Sequence, residues 1–282
     1  MTLKQIINQI EKKQSLLSIP LNPVINNLPL SIQREQDPLY YFVSNVVQAT
    51  HQYVIAYEIN PAYYTILGEK GWQTFAKIAN LIKNSYPDIF LIADIKYGDI
   101  GNAAVSTAKT FFQTLPFDAV TINPYLGHDV ITPYLNYSDK WIIILGLSAN
   151  PSAWDIELIQ EIDTRDYIFE KVFKYASWWA DESKLMFIAE PTLPYKLIQI
   201  RHIVKTHFLL IPNIQSNVKQ IEEICFNGLN SNYGLILSAS QEILDIPETN
   251  DFPQIIASRA ENYQKIIAQQ LKAFKQHKRR KI

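Results

Sequence analysis

Short apolar runs alternate with longer amphipathic stretches along almost the whole chain. The apolar runs are bounded by turn and cap residues, as expected for buried strands. They predict strands at 15–21, 54–58, 89–95, 119–123, 141–147, 185–190, 207–212 and 233–238. Helical spacing predicts a first helix in the N-terminal 14 residues and later helices over 61–83, 101–114, 164–181, 216–227 and about 254–277.

Roughly eight strands, each followed by a helix, indicate repeated βαβ units and a parallel sheet. Their number and the 282 residues fit one closed (β/α)8 TIM barrel, a fold of typically ~250 residues. An open doubly wound sheet is the alternative, but the chain lacks a GxGxxG fingerprint. No linker divides the chain, so we expect a single domain over 1–282 with a basic C-terminal tail at about 275–282.

Composition narrows the class of protein. Hydrophobic residues make up 48% and charged residues 19%, which is typical of a soluble globule. A net charge of -1 argues against general nucleic-acid binding, and the basic tail is read as a solvated helix end. The single cysteine excludes a disulfide framework. No signal peptide is recognised, and no apolar run approaches the ~20 residues of a membrane span, so we expect a cytoplasmic protein without a membrane partner.

Glycine is scarce in the second half of the chain. Only Gly228 and Gly234 follow position 146. Phosphate-binding loops commonly need glycine, because the backbone must approach the anion closely. The second half is therefore a poor place for such a loop.

The segment 94–99 is the strongest chemical signal. Asp94 and Lys96 are two residues apart on a predicted strand, so their side chains should point to the same side, near the rim of the barrel interior. Buried charges are costly unless paired, and these two can pair. Together with Asp99 they can repel an anionic substrate group and deliver a proton. The spacing also fits a charged loop in which Asp99 caps the next helix.

A resemblance to a known family covers almost the whole chain. It is carried by IADIKYGDIGN (92–102), FDAVTINPYLGHD (117–129), WIIILGLSAN (141–150) and HFLLIP (207–212). In this order, the segments resemble the longer bacterial form (type 2) of the orotidine 5′-phosphate decarboxylase family. The resemblance implies a TIM barrel that forms homodimers with shared active sites. It also implies cofactor-free conversion of orotidine monophosphate to UMP and CO₂.

The resemblance also assigns roles to residues. Lys96 supplies the proton, Asp94 belongs to the same network, and Asp99 reaches the neighbouring subunit's site. Ser148 and Asn150 stand where the family contacts the pyrimidine, so a small planar or nucleotide-like ligand is expected. Asn123 is retained; it is a candidate for substrate binding or a cap for the turn at Pro124.

Several positions depart from the family pattern. The first strand ends at Asn22 where the family has Asp, and Glu58 replaces the first catalytic Lys. The glycine-rich phosphate loop is replaced by Pro212-Asn213-Ile214-Gln215-Ser216-Asn217-Val218-Lys219. The eighth strand ends in Ser240-Gln241 instead of Ser-Arg, so the cation for the phosphate is lost. We therefore expect impaired or lost decarboxylation of orotidine monophosphate.

Glu58 opens a different interpretation. Sugar-phosphate lyases of the same superfamily carry a Glu there and use it, with the first Asp of DxKxxD, to hold Mg²⁺. Glu58 and Asp94 offer the oxygen ligands that Mg²⁺ prefers, and Lys96 could handle the proton. The alternative is a Glu that forms an ion pair with Lys96 after function was lost.

Three hypotheses about function follow. The first is a diverged pseudoenzyme kept as a binding or regulatory subunit, as a homodimer or as a heterodimer with a related barrel. The second is an Mg²⁺-dependent lyase or decarboxylase acting on a different substrate. The third is a decarboxylase of pyrimidine biosynthesis that still works with a rearranged site.

Overall fold

The structure is a computed structural model that describes residues 1–190, 194–249 and 251–279. Within these residues, eight parallel strands close into a barrel in chain order, with β1 between β2 and β8. The predicted (β/α)8 TIM barrel is therefore confirmed. The strands are β1 Leu17–Pro20, β2 Ala56–Ile59, β3 Phe90–Tyr97, β4 Ala119–Ile122, β5 Trp141–Leu147, β6 Leu185–Ala189, β7 Phe208–Ile214 and β8 Leu235–Ala239.

Helices cover the outside of the barrel. In the described ranges the α-helices are α1 Leu3–Lys13, α2 Leu30–Gln33, α3 Pro38–Thr50, α4 Ala62–Thr65, α5 Gly68–Ser85, α6 Gly101–Lys109, α7 Ile168–Ala176, α8 Pro194–Ile203, α9 Val218–Gly228 and α10 Phe252–Arg279. A π-helical turn, Thr110–Thr114, continues α6. Short 3₁₀ helices lie at Ile25–Asn27, His128–Val130, Tyr134–Asn136, Pro151–Asp155 and Gln241–Leu244. No helix in the described ranges is long and apolar enough to cross a membrane.

The single helix predicted over 61–83 is wrong, because the chain turns between α4 and α5. At Gly71 the two helices are so close that a Cβ atom would lie 1.8 Å from the Tyr64 carbonyl oxygen. Gly68 begins α5 with φ +64°, a left-handed conformation that glycine adopts at little cost. Both parts keep helical spacing of apolar residues, so the pattern did not reveal the turn.

The N-terminal end of the barrel is closed by α1 and a buried ion cluster. Ile6 and Ile10 of α1 are buried in the core. The N-terminal amine lies 3.2 Å from one carboxylate oxygen of Asp118, and the Lys83 amine lies 2.8 Å from the other. Asp118 is therefore paired on both sides, as a buried charge requires. The contacts at this end stabilise the fold. The opposite end, where the strands have their carboxyl ends, is not covered by α1.

Strands β3 and β7 are irregular at their carboxyl ends. The register of β3 against β4 shifts between Ala93 and Tyr97, and Lys96 has φ +50°. The register of β7 against β8 shifts between Ile211 and Ile214, and Asn213 has φ +60°. Such bulges redirect side chains and are frequent beside active sites. They also carry β3 and β7 two residues beyond their predicted ends.

The basic tail begins within a helix. Lys275 belongs to α10, which runs to Arg279. Residues 280–282, which complete the predicted tail, lie outside the described residues.

Candidate active site

The Asp94 carboxylate is the centre of a hydrogen-bonded group at the open end of the barrel. The Lys96 amine lies 2.5 Å and 2.6 Å from its two oxygens. The Thr121 hydroxyl of β4 donates at 3.0 Å, and the Asn60 amide donates at 3.4 Å from the end of β2. Three neighbouring strands thus meet at one carboxylate. The predicted pairing of Asp94 with Lys96 is observed.

The bulge in β3 determines how Lys96 reaches Asp94. A regular strand would place residues 94 and 96 on the same side by alternation alone. In the structure the left-handed conformation of Lys96 interrupts this alternation, and its backbone N–H donates to the Thr121 hydroxyl at 2.9 Å. The Lys96 side chain remains 42% exposed, whereas that of Asp94 is 15% exposed. The amine therefore stands at the mouth, within reach of a ligand.

Asp99 does not join this pair. It is exposed, and in the described residues it forms no hydrogen bond or ion pair with Asp94 or Lys96. The expected convergence of two carboxylates and an amine is thus absent from one chain. After Tyr97 the chain leaves the barrel, so Asp99 and Ile100 point to the surface. Nor does an Asp99 side chain cap α6, whose N-cap residue is Ile100.

Glu58 lies deeper, inside the barrel. It is only 6% exposed, and the hydroxyls of Ser18 and Ser238 flank it from β1 and β8. Burial raises the pKa of Glu58 to about 7, although the neighbouring Ser238 and Ser18 hydroxyls favour the ionised form. Its Oε1 atom has no hydrogen-bond partner of good geometry among the described residues. Glu58 therefore carries a proton in much of the population near neutral pH.

The pair Glu58 and Asp94 fits Mg²⁺ poorly. Mg²⁺ wants charged or polar oxygens free to complete an octahedron. Both oxygens of Asp94 are bonded to the Lys96 amine, and Glu58 is partly protonated near neutral pH. No group of three or more His, Cys, Asp or Glu residues that could hold a metal occurs in the described part of the chain. We therefore derive no chemical step through a metal ion.

Asn22 and Asn123 are engaged in fixing loops. The Asn22 side chain accepts a hydrogen bond from the Asn60 backbone N–H at 2.8 Å. The Asn123 side chain accepts one from the Tyr125 N–H at 3.0 Å, so it caps the turn at Pro124. Both side-chain oxygens therefore already accept a hydrogen bond from the protein backbone.

Ser148 and Asn150 lie together after β5. The Ser148 hydroxyl is hydrogen-bonded to the Asn150 side chain and to a Glu157 oxygen at 2.6 Å. Glu157 also accepts from the Ser148 backbone N–H at 2.6 Å. The predicted proximity of Ser148 and Asn150 is observed, and Glu157 is an additional polar residue that the sequence did not single out.

The ends of β7 and β8 are closed by hydrogen bonds within the protein. The Ser240 N–H donates to the Ile214 carbonyl at 2.7 Å, and the Gln215 N–H donates to the Gln220 side chain at 3.0 Å. The Gln241 amide donates to the Asn22 carbonyl at 2.7 Å. These groups occupy the place expected for a phosphate contact. Two backbone N–H groups and the Gln241 amide are thus paired within the protein.

The arginine beside this region has a structural role. Arg259 of α10 donates to the carbonyl oxygens of Glu242 at 2.9 Å, Ile243 at 3.2 Å and Asp245. Its guanidinium therefore holds the loop after β8. Lys219, in the first turn of α9, is exposed. All three Arg259 hydrogen bonds come from one guanidinium nitrogen, Nη1.

The structure is a TIM barrel with a lysine–carboxylate pair at the carboxyl ends of its strands, where proteins of this fold place their active sites. Residues 41–205 match the model of the family described as "Orotidine 5'-phosphate decarboxylase / HUMPS family". The chain belongs to this family.

The curated relatives support the assignment over nearly the full length. The chain is 39% identical to an orotidine 5′-phosphate decarboxylase of Bacteroides fragilis, covering 97% of this chain and 100% of the relative. It is 38% identical to the one of Phocaeicola vulgatus, with 94% and 97% covered.

Solved structures share the fold. Leishmania donovani OMP decarboxylase has a TM-score of 0.78 at 23% identity, covering 95% of this chain and 99% of that one. A Toxoplasma gondii protein, described as a putative orotidine-monophosphate-decarboxylase, has a TM-score of 0.80 at 21% identity, with 95% and 98% covered.

The Glu58 carboxyl generates a prediction about pH. The folded protein keeps a proton on Glu58 at pH values where the unfolded chain has lost it. Its contribution to the free energy of unfolding therefore falls as pH rises from 4.5 to about 7, by roughly 3 kcal/mol in total. Glu58→Gln removes this dependence. Urea unfolding should show the variant gaining stability relative to the wild type between pH 5 and pH 8.

Glu222→Gln, on the exposed face of α9, is the control and should run parallel to the wild type at all pH values. Parallel curves for Glu58→Gln as well would contradict the assigned pKa.

Proposed function

We propose that this chain is a diverged family member in which conversion of orotidine monophosphate to UMP is lost or strongly impaired, and which acts by binding. The observation that carries the proposal is the closed end of β7 and β8. The Gln241 side-chain amide donates a hydrogen bond to a backbone carbonyl there. The backbone N–H groups of Gln215 and Ser240 also donate to acceptors within the protein. Without a phosphate contact, remote binding energy cannot be used to stabilise the transition state.

Glu58 adds a second argument. The family places a lysine at this position according to the resemblance, and here a buried carboxyl stands below Asp94. The charge of Asp94 raises the pKa of Glu58 further, although less than burial does. Lys96 and Asp94 remain paired, so the proton donor is retained while its surroundings are changed. The family acts without a cofactor, and we expect none here.

Decarboxylation of orotidine monophosphate by the purified full chain, followed by ultraviolet absorbance, tests this proposal. We expect turnover at least about a thousand-fold below that of the Bacteroides fragilis relative, because donors and a cation are both missing. The relative is the positive control, and Lys96→Ala is the matched negative control. Turnover near the relative's rate that Lys96→Ala abolishes would contradict the proposal.

The same assay with and without Mg²⁺ separates the metal-dependent alternative. Activity that requires Mg²⁺ and disappears in Glu58→Gln would favour a metal-dependent enzyme over a binding protein. We expect Mg²⁺ to have no effect.

We further infer that the chain pairs with a second copy or with a related barrel. Exposed apolar side chains occur at the end of β3 and in the loops and helices that follow the adjacent strands β2, β3 and β4. This rim patch consists of Tyr63, Ile66, Tyr97, Ile100, Val105, Tyr125 and Leu126. Contiguous apolar surface of this kind marks protein interfaces. Asp99 stands within it, exposed, which suits a role in a partner's site.

Light scattering after gel filtration tests the homodimer. We expect twice the chain mass of 32.5 kDa for the wild type and the single-chain mass for Ile100→Asp and Tyr125→Asp. Phe226→Asp, at a fully separate exposed apolar position on α9, should stay dimeric. A monomeric wild type would count against the homodimer and leave mixing with a related decarboxylase as the assay for a heterodimer.

A further inference from the structure

Charge is distributed unevenly along this chain. Residues 155–170 hold six Asp or Glu residues and one Arg, whereas residues 272–281 hold six Lys or Arg residues and no Asp or Glu. We name these ranges the acidic segment and the basic segment. Their local charges are -5 and +6, although the whole chain has a net charge of only -1. Blocks of like charge are often interaction sites.

The acidic segment contains an ordered hairpin between β5 and α7. Gln160 and Tyr167 pair as an antiparallel bridge, and the Glu161 N–H donates to the Asp166 carbonyl at 2.9 Å. Ile162 lies at the tip and is 86% exposed. Because backbone hydrogen bonds fix the hairpin, the tip presents Ile162 to the surroundings in one shape.

Two carboxylates of the acidic segment have no partner in the described part of the chain. Asp155 and Asp163 are exposed, and neither side chain forms a hydrogen bond or an ion pair there. Such carboxylates are free to meet cations of another molecule, with an attraction that salt screens.

Exposed aromatic rings continue this surface along α7. The hydrogen bond with Glu161 and, to a smaller degree, the nearby Tyr175 raise the pKa of the Lys171 amine, so these side chains lie close together. The Tyr175 ring centre is 5.5 Å from that of Trp178, and the two side chains are 48% and 68% exposed. Carboxylates beside aromatic rings suit Lys and Arg, whose apolar stems pack on rings and whose charges are attracted to ring faces.

The basic segment begins at the other end of the barrel. Helix α10 follows β8 and has 28 residues, which gives it a length of about 42 Å. The Lys275 ammonium lies 5.8 Å from the ring centre of Tyr233, which precedes β8. The basic segment is therefore near the amino ends of the strands, whereas the hairpin follows the carboxyl end of β5.

The two segments also lie on different sides of the barrel. In the ring of helices α7 packs on α8, α8 on α9 and α9 on α10, so two helices separate α7 from α10. Opposite charges at opposite ends of one molecule can meet only between two molecules.

We propose that the acidic segment of one copy binds the basic segment of a second copy, so that chains associate end to end. Two different surfaces meet in such a contact, which therefore extends into open chains or closes into rings. The inference depends neither on the proposed loss of decarboxylation nor on pairing through the rim patch, because other residues form the contact.

Sedimentation equilibrium of the Ile100→Asp variant tests the inference, because this variant lacks the proposed pairing through the rim patch. At concentrations well above those of gel filtration, the mean mass should rise above the 32.5 kDa of one chain in low salt. Raising the salt from about 0.1 M to about 1 M shortens the screening length from ~10 Å to ~3 Å, and the association constant should fall at least ten-fold.

Variants in the same background locate the contact. Asp155→Lys with Asp163→Lys reverses two charges of the acidic segment, and a chain that ends at Gln276 lacks four cations of the basic segment. Each should associate at least ten-fold more weakly than the background. Glu222→Lys with Glu242→Lys, at exposed positions outside both segments, makes the same change in net charge and should associate as the background does.

A mixture of the two test variants checks that the contact joins different surfaces. The truncated chain keeps the acidic segment, and the chain with the two Lys substitutions keeps the basic segment. One native contact can form between them, so the mixture should contain pairs of chains and no larger species, although neither variant associates alone. If the truncated chain does not fold, Lys278→Glu with Lys281→Glu replaces it and should show the same loss of self-association.

Four results would overturn the inference. They are a single-chain mass at every concentration in low salt, association of equal strength in high salt, loss of association in only one of the two folded test variants, and a mixture that forms no pairs.

Discussion

The Asp94 carboxylate holds the open end of the barrel together. Lys96 comes from the same strand, Thr121 from the next strand and Asn60 from the end of the preceding one, and all three donate to this one group. Carboxylates that accept several hydrogen bonds, one from an ammonium, form strong and directional contacts. The left-handed conformation of Lys96 is sustained by this arrangement, because its backbone N–H is also bound by Thr121. The Lys96 amine is thus held at the open end of the barrel by hydrogen bonds that all lie within the protein.

Two features surround this network. Below it, Glu58 places a second carboxyl in the barrel interior, where burial keeps it partly protonated near neutral pH. Beside it, polar side chains and backbone groups at the ends of β7 and β8 satisfy each other. A phosphate site needs donors that are free to meet the anion, and three of the donors in this region are paired with protein acceptors.

Much of the fold could be predicted from the sequence, because burial on both sides of a parallel strand produces apolar runs such as 141–147, which coincides with β5. The turn between α4 and α5 could not, since helical spacing continues through it. The bulges at Lys96 and Asn213 depend on pairing with neighbouring strands that local spacing does not record.

In the candidate site, Asp94 and Lys96 were found because their spacing is short. Thr121, Asn60 and Glu157 were missed because their roles arise from strands or loops that meet only in three dimensions.

We propose that this barrel does not bind the phosphate group of a nucleotide, although it keeps the ion pair between Lys96 and Asp94. Comparison of the affinities of UMP and uridine, by calorimetric titration of the purified chain in one buffer, tests it most directly. The two ligands differ only in the phosphate. The account predicts that the phosphate adds nothing, so that UMP binds no more tightly than uridine. Binding of UMP one hundred-fold or more tighter than uridine, a gain of about 2.7 kcal/mol, would contradict it.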